Sequence, residues 1–229
     1  KGIKAIALTY TNNDFGKGLA DAIQSSFEAR GGKVTINASH EDGKADYSAE
    51  VAALASAGGD LLVVAGYLDQ GGKGIIQSSL DTGAFDTFVF PDGMVSDALT
   101  ANFGTDIDGS FGQFPGTDSE GASIFQAMAT EAGFDGSSPF AAESYDAAAL
   151  MLMAMQAAGS TDPADYAASV MDVANAPGEL IQPGELARAL EIIAAGGEVD
   201  YAGATAVELI GPGESAGNYR EISIEGGAV

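Results

Sequence analysis

Short apolar runs alternate with amphipathic segments over the first half of the chain, and this alternation limits the possible folds more than any other feature. Leu61–Ala65 is purely apolar, as is typical of a strand buried on both faces of a parallel sheet. Apolar residues at a helical spacing predict a helix over residues 15–30. The same reasoning gives strands at 3–8, 33–38 and Phe88–Phe90, and helices at 47–57 and 74–80. Alternating strands and helices with short connections predict an α/β fold with a doubly wound parallel sheet.

The second half of the chain is predicted to be rich in helices and poor in strands. Helices are predicted at 119–132, 140–158, 163–174 and 184–194, the third of them starting at Pro163. Strand-like pieces occur only at 204–210 and 219–225, on either side of a turn at 211–217. Four helices with almost no sheet to cover indicate that part of this half's sheet is supplied by sequence outside the chain.

The charge of the chain excludes several classes of partner. There are 33 Asp and Glu residues against 9 Lys and Arg, which gives a formal net charge of −24. Such a surface repels phosphate backbones, so we expect neither nucleic acid nor an anionic membrane surface as a partner. A solvated acidic coat explains the excess of acids more simply than a specific cation-binding role. The absence of cysteine excludes disulfides, thiolate metal sites and cysteine nucleophiles.

No apolar run approaches the roughly eighteen residues that cross a bilayer, so we expect no direct membrane insertion. No signal peptide is visible, because the sequence opens directly on a strand-like segment. An exported protein would look like this if only its mature part, or a fragment of it, were represented.

Two glycine-rich stretches imitate nucleotide-binding motifs but depart from them. Gly16 and Gly18 follow a strand, yet Asp21 replaces the third glycine of a dinucleotide fingerprint, and both glycines fall inside the predicted helix. In the second stretch, Tyr67 stands where the first glycine of a P-loop belongs, and Gly74 replaces the Ser or Thr that holds magnesium. We therefore predict no nucleotide cofactor.

Neither a catalytic nor a metal site can be assembled from the sequence. His40 is the single histidine, and no partners for a triad or a zinc site are apparent, so we expect it at a strand end on the surface. The acidic stretches at 42–46 and 105–109 lack the ligand spacing of a calcium loop. No Gly-x-Ser-x-Gly elbow is present. We therefore predict no catalytic residue, no metal and no enzymatic activity.

Polar and aromatic residues follow three of the predicted strands, at residues 10–15, 66–69 and 91–93. The carboxyl ends of parallel strands share one edge of a sheet, where ligands of open α/β folds bind. These residues supply two aromatic rings, a carboxylate and the free N–H groups of a helix start, which together suit a small zwitterion. The alternative is structural, with Asn13 only capping the helix and Phe15 packing in the core.

Several blocks of the sequence together resemble a known family. They are TNNDFGKGLADAIQSSFEARGGKV, DYSAEVAALASAGGDLLVVAGYLDQGGKGIIQ, FPDGM, SPFAAESYDAAALMLMAM and NAPGE. In this order they resemble the type I periplasmic binding proteins, and among these the leucine/isoleucine/valine-binding proteins that serve ABC transporters. The resemblance runs nearly from end to end.

The resemblance implies two α/β lobes joined by a hinge, with the ligand trapped as the lobes close. It assigns residues 1–117 and 218–229 to the second lobe, and 118–217 to the later part of the first lobe. The first segment of the first lobe, which supplies much of the family's site for the ligand carboxylate, is absent. This agrees with the shortage of strands in the second half.

The resemblance also implies a set of ligand-binding residues. Phe15 matches an aromatic that stacks on the ligand, although the leucine-binding proteins usually carry Tyr there. Asn13, in the same turn, is also predicted to bind the ligand, as one of the polar residues that follow the first strand. Tyr67 matches a second pocket aromatic. Asp92 matches the acid that accepts the ligand's ammonium group, although the leucine binders carry the longer Glu. Phe140 matches an apolar wall residue from the first lobe.

The expected function is that of a periplasmic receptor that captures a small amino acid, branched-chain or similar, and delivers it to an ABC transporter permease. Two alternatives stay open. In the first, the same fold serves as the ligand-sensing domain of a signalling protein. In the second, the receptor binds an aromatic acid, a dicarboxylate or an amide.

Overall fold

A computed structural model describes residues 1–211 and 213–229. The chain divides into two compact units, Lys1–Phe114 with Glu221–Val229, and Pro115–Arg220. We call these unit 1 and unit 2. The chain leaves unit 1 once and returns once, so unit 1 is built from two separate segments of sequence.

The strands of unit 1 form one six-stranded sheet. The ten strands of the described residues are, in chain order, β1 (Ala5–Thr11), β2 (Lys33–His40), β3 (Leu61–Ala65), β4 (Phe88–Phe90), β5 (Phe111–Pro115), β6 (Glu179–Ile181), β7 (Val199–Tyr201), β8 (Leu209–Gly211), β9 (Glu214–Ser215) and β10 (Tyr219–Ser223). The sheet order is β10-β5-β4-β3-β1-β2. The pairs β1–β2, β1–β3, β3–β4 and β4–β5 are parallel, which confirms the predicted parallel sheet. The strand order reverses between β1 and β3, and such a reversal opens a crevice at the carboxyl ends of the two strands.

Helices cover the two faces of this sheet unequally. They are α1 (Asp14–Ala29), α2 (Ser48–Ala57), α3 (Lys73–Thr82) and α4 (Asp97–Phe103). Every residue of β3 is buried, and successive side chains point to opposite faces. Leu62 and Val64 pack with α2, α3 and α4, whereas Leu61 and Val63 pack with α1. The purely apolar run of β3 is therefore required by burial on both sides.

Unit 2 is mainly helical. Its helices are α5 (Glu120–Ala132), α6 (Ala141–Ala158), α7 (Pro163–Tyr166), α8 (Ser169–Ala174) and α9 (Leu186–Ala194). The strands β6 and β7 pair in parallel, and β8 and β9 pair antiparallel. The core gathers Met153 of α6, Val173 of α8, Ala189 of α9 and Tyr201 of β7, each at most 4% exposed.

A buried carboxylate organises the centre of unit 2. Asp146 on α6 is 2% exposed. Its Oδ1 accepts hydrogen bonds from the Tyr201 hydroxyl and the Ala204 N–H, both at 2.8 Å. Its Oδ2 accepts from the N–H and the hydroxyl of Thr205, at 2.8 and 2.7 Å. Four donors satisfy the buried charge, so Asp146 anchors the turn that follows β7 to the long helix.

The sequence prediction of strands in the second half is only partly right: the strand predicted at 219–225 is confirmed as β10, but the others differ. The predicted strand at 204–210 is a turn held by Asp146, and β8 begins only at Leu209. The strands β6 and β7 were not predicted, because each has three residues, one of them acidic, and so forms neither an apolar run nor a readable alternation. The predicted helix at 163–174 is divided into α7 and α8. The predicted turn at 211–217 includes Pro212, which lies outside the described residues.

None of the helices that the structure describes is long and apolar enough to cross a membrane. Within the same residues, no group of three or more His, Asp and Glu side chains is arranged to hold a metal ion.

Candidate ligand-binding site

Four of the five predicted site residues lie in unit 1, close to the crevice where the strand order reverses. Asn13 and Phe15 follow β1, Tyr67 follows β3, and Asp92 follows β4. The paired register aligns Tyr10 with Ala65, so β1 and β3 end side by side. The topology therefore collects these residues at the edge where open α/β sheets bind ligands.

Asn13 starts the first helix. Its backbone is extended, and its side-chain oxygen accepts a hydrogen bond from the Gly16 N–H at 2.8 Å, which satisfies one of the free donors at the start of α1. Gly16 is required because a Cβ there would collide with the backbone of Thr11, whereas Gly18 has open space around it. The first glycine of the pair thus serves close packing of the helix on the strand, and Asn13 has a structural role whether or not it also binds a ligand.

Phe15 and Tyr67 form an aromatic pair across the crevice. Their ring centroids are 5.0 Å apart, with 30° between the ring planes. Phe15 is 38% exposed, so it is not a core residue as the structural alternative assumed. Because one partner follows β1 and the other follows β3, the pair presents an apolar surface that is open to solvent at the edge of the sheet.

Asp92 begins a short 3₁₀ turn, Asp92–Met94, which packs against Tyr67. Its Oδ1 accepts a hydrogen bond from the Gly93 N–H at 2.8 Å. A Cβ at Gly93 would lie 3.0 Å from the Tyr67 ring, so the turn rests on that ring. A carboxylate has about four acceptor positions, and the Gly93 bond uses one of them. Asp92 can therefore accept further donors beside the aromatic pair.

Phe140 belongs to unit 2, where it immediately precedes α6. It is 43% exposed. Its backbone is left-handed, with φ 65°, a conformation that is strained for a bulky residue. The Ser144 N–H donates to its carbonyl at 2.9 Å, which fixes it as the residue that begins the helix.

The predicted surface position of His40 is wrong. His40 ends β2, but it is 1% exposed. Its Nδ1 lies 2.9 Å from the Thr9 hydroxyl and its Nε2 lies 3.3 Å from the Thr11 hydroxyl. Burial lowers the pKa of His40 from 6.5 to about 4, so the ring is neutral at physiological pH. Two threonines at alternate positions of an otherwise apolar strand were the sequence signal for this cluster.

A separate groove of about 520 Å³ lies on unit 1, and none of the predicted site residues lines it. Leu19 and Ile23 of α1 form one wall, and Val63, Val89 and Phe111 of the sheet form its floor. The groove lies on the same face of the sheet as α1. It runs beside this helix, over β3, β4 and β5.

The aromatic pair should stabilise unit 1 before any ligand binds. We expect Phe15→Ala and Tyr67→Ala to be coupled by about 0.5–1.5 kcal/mol in a double-mutant cycle on the free energy of unfolding. Denaturant unfolding of the two single variants and the double variant measures this coupling. Phe15→Ala combined with Phe103→Ala of α4 is the control and should be additive, and a coupling as large as that of Phe15 with Tyr67 would contradict a specific contact.

Comparison with known proteins shows which family the chain belongs to. A sequence model described as "Periplasmic binding protein" matches residues 1–188, so the chain belongs to this family and the resemblance to type I periplasmic binding proteins is confirmed. The Leu/Ile/Val-binding protein homolog 1 of Brucella melitensis is 29% identical over 170 residues, which cover 73% of this chain and 45% of that protein. The chemotactic signal transduction system substrate-binding protein BasB of Halobacterium salinarum is 39% identical over 67 residues, 29% of this chain and 16% of that protein.

Solved structures agree on the fold. The leucine-binding protein LivK of Thermotoga maritima superposes with a TM-score of 0.74 at 19% identity, covering 99% of this chain and 59% of that one. An ABC transporter substrate-binding protein of Desulfitobacterium hafniense, in complex with Leu, gives a TM-score of 0.65 at 17% identity, with 99% and 59% coverage. The chain spans about half the length of the curated relatives it matches.

Proposed function

We propose that the protein is a non-enzymatic receptor of the periplasm that captures a small amino acid, branched-chain or similar, and delivers it to an ABC transporter permease. The observation that carries this proposal is the convergence of Asn13, Phe15, Tyr67 and Asp92 on the crevice between β1 and β3. An aromatic surface beside a carboxylate suits an apolar side chain that is linked to an ammonium group.

In this proposal, unit 1 is the second lobe of the receptor and unit 2 is the later part of the first lobe. The rest of the first lobe belongs to the portion of the family's length that this chain does not span. The ligand favours a closed state because it contacts both lobes, and closure traps it. Phe140 forms an apolar wall from the first lobe.

Asp92 is the residue to change first. Its carboxylate accepts the ligand ammonium in a charge-assisted hydrogen bond, and a bond of this kind contributes about 1.5–3 kcal/mol. We expect Asp92→Ala to weaken amino-acid binding about tenfold or more, as measured by calorimetric titration. Asp86→Ala, which removes an exposed aspartate just before β4, at the opposite end of the strands, is the matched control and should leave the affinity unchanged. Equal affinities of wild type and Asp92→Ala would contradict the ammonium site.

The ligand class is tested by calorimetric titration of the protein in its full natural length. The panel is leucine, isoleucine, valine, phenylalanine and alanine. Saturable binding of any of these supports an amino-acid receptor. A folded sample that is free of retained ligand and gives no heat with any of them would move the ligand to the aromatic acids, dicarboxylates or amides.

Sensing is the second candidate function, and the similarity to BasB favours it. A sensor would bind the same class of solute at the same crevice but would pass the signal to a membrane signalling protein. Uptake of radiolabelled ligand by cells with and without the gene separates the two candidates. Loss of uptake on deletion supports transport, and unchanged uptake with a lost chemotactic response supports sensing.

A further inference from the structure

His40 lies between two turns that carry the candidate site. On one side, the His40 carbonyl accepts a hydrogen bond from the Asn12 N–H at 2.9 Å, directly before Asn13. On the other side, its ring lies against the turn Leu68–Gly72, which directly follows Tyr67. A Cβ at Gly71, which has φ 90°, would lie 2.8 Å from the His40 ring, so the turn rests on the imidazole.

The hydrogen bonds of this cluster specify the form of the imidazole. The Thr11 hydroxyl donates its proton to the Gln70 carbonyl at 3.2 Å, so towards His40 it can only accept. Nε2 therefore carries the ring proton, and Nδ1 accepts the proton of the Thr9 hydroxyl. A neutral ring with one donor and one acceptor satisfies the cluster completely.

The groups around the ring come from every element that packs on it. Thr9 and Thr11 face it from β1, and the turn after β3 supplies the Gln70 carbonyl. Tyr47 meets the ring edge-on at a centroid distance of 6.3 Å. The carboxylates that face it are Glu41 and Asp42 at the end of its own strand and Glu50 on α2, the last of which is paired with Lys44.

We propose that His40 is a positioning residue for ligand capture, which ties the turn carrying Asn13 and Phe15 to the turn that follows Tyr67. Its carbonyl fixes the first turn, and the ring fixes the second through Thr11 and the Gln70 carbonyl. The aromatic pair spans the same two turns, so its geometry depends on this tie. The inference rests on the proposed function for its effect on affinity, but its effect on the free protein does not depend on any ligand.

The test compares His40→Leu, which removes both side-chain hydrogen bonds, with His40→Gln, whose amide offers one donor and one acceptor at a similar separation. The matched control is Ser110→Ala. Ser110 is fully buried in the same unit, and its hydroxyl accepts from the Phe88 N–H at the start of β4, at the opposite edge of the sheet. Thr11→Val breaks the same link if His40→Leu does not fold.

Two measurements are made on the protein in its full natural length. The first is the NMR cross-relaxation between the ring protons of Phe15 and Tyr67 without ligand. We expect it to be lost in His40→Leu and kept in His40→Gln and Ser110→Ala. The second is the Kd for L-leucine, which we expect to rise about tenfold in His40→Leu and less than about threefold in the other two.

Retention of the aromatic contact in His40→Leu overturns the proposal, whatever happens to the Kd. An equal loss of affinity in Ser110→Ala also overturns it, because the effect would then be general destabilisation. If wild type binds no amino acid of the panel, the proposed ligand fails, and the aromatic contact alone decides: its loss in His40→Leu supports the positioning role and its retention overturns it.

Discussion

Replacing Asp146 by alanine is expected to destabilise unit 2 by about 3–5 kcal/mol, because it leaves four hydrogen-bond donors without their partner, two of them on the buried residues Tyr201 and Ala204. The carboxylate accepts four hydrogen bonds, two of them from the backbone of Ala204 and Thr205. Burial and the neighbouring carboxylate raise the pKa of Tyr201, so its phenol remains a donor to Asp146 far into the alkaline range. Each of these donors loses its partner in Asp146→Ala.

Chemical denaturation measures the loss of stability, and amide hydrogen exchange locates it. We expect protection to fall in α6 and β7 and to stay unchanged in β3 of unit 1. Asp146→Asn keeps one acceptor oxygen but turns an amide towards the Thr205 donors, so its cost should be intermediate. Glu131→Ala removes an exposed carboxylate from α5 and should change the stability by less than about 0.5 kcal/mol. A small effect of Asp146→Ala would mean that the turn after β7 is held by other contacts.

Most of the sheet of unit 1 could be predicted because β1 to β4 are long or purely apolar, but β5, Phe111–Pro115, is neither and was not predicted. Leu61–Ala65 is buried on both faces, and a strand buried in this way has a short, purely apolar sequence that is typical of parallel sheets. The strands β6 and β7 could not be predicted in this way, because each has only three residues and one of them is acidic, Glu179 in β6 and Asp200 in β7. The turn after β7 depends on Asp146, which is more than fifty residues away in sequence, and no local pattern reports such a contact.

The candidate site was predictable as an edge of the sheet but not as a set of contacts. Parallel strands bring their carboxyl ends together whatever their order, so the sequence indicates the edge at which Phe15, Tyr67 and Asp92 lie. The pairing of Phe15 with Tyr67 requires β1 and β3 to be neighbours in the sheet. This strand order is seen in the structure and cannot be deduced from the local sequence of either strand. The burial of His40 has the same origin, since it depends on the register that aligns Thr11 with His40.

His40 should make the stability of unit 1 depend on pH between about 6.5 and 4. Burial holds its pKa at about 4 in the folded protein, whereas the unfolded chain has the ordinary value of 6.5. Between these values the unfolded state binds more protons, so stability rises with pH and is complete above about 6.5. As the pH falls from 6.5 to 4, protonation of the unfolded chain removes about 3 kcal/mol at about 1.36 kcal/mol per pH unit.

The comparison of wild type with His40→Gln isolates this contribution. Carboxylates such as Asp60, whose pKa is lowered by the N–H groups of Ala5 and Lys4, also lose stabilising hydrogen bonds in acid, but they are present in both proteins. Glutamine cannot titrate, so denaturant unfolding at pH 7.5 and pH 4.5 should give a smaller loss of stability for His40→Gln than for wild type. A difference of about 2–3 kcal/mol between the two losses is expected from the pKa gap over this interval. Equal losses would mean that His40 is protonated as readily in the folded protein as in the unfolded chain, and the buried cluster with Thr9 and Thr11 would then not hold a neutral ring.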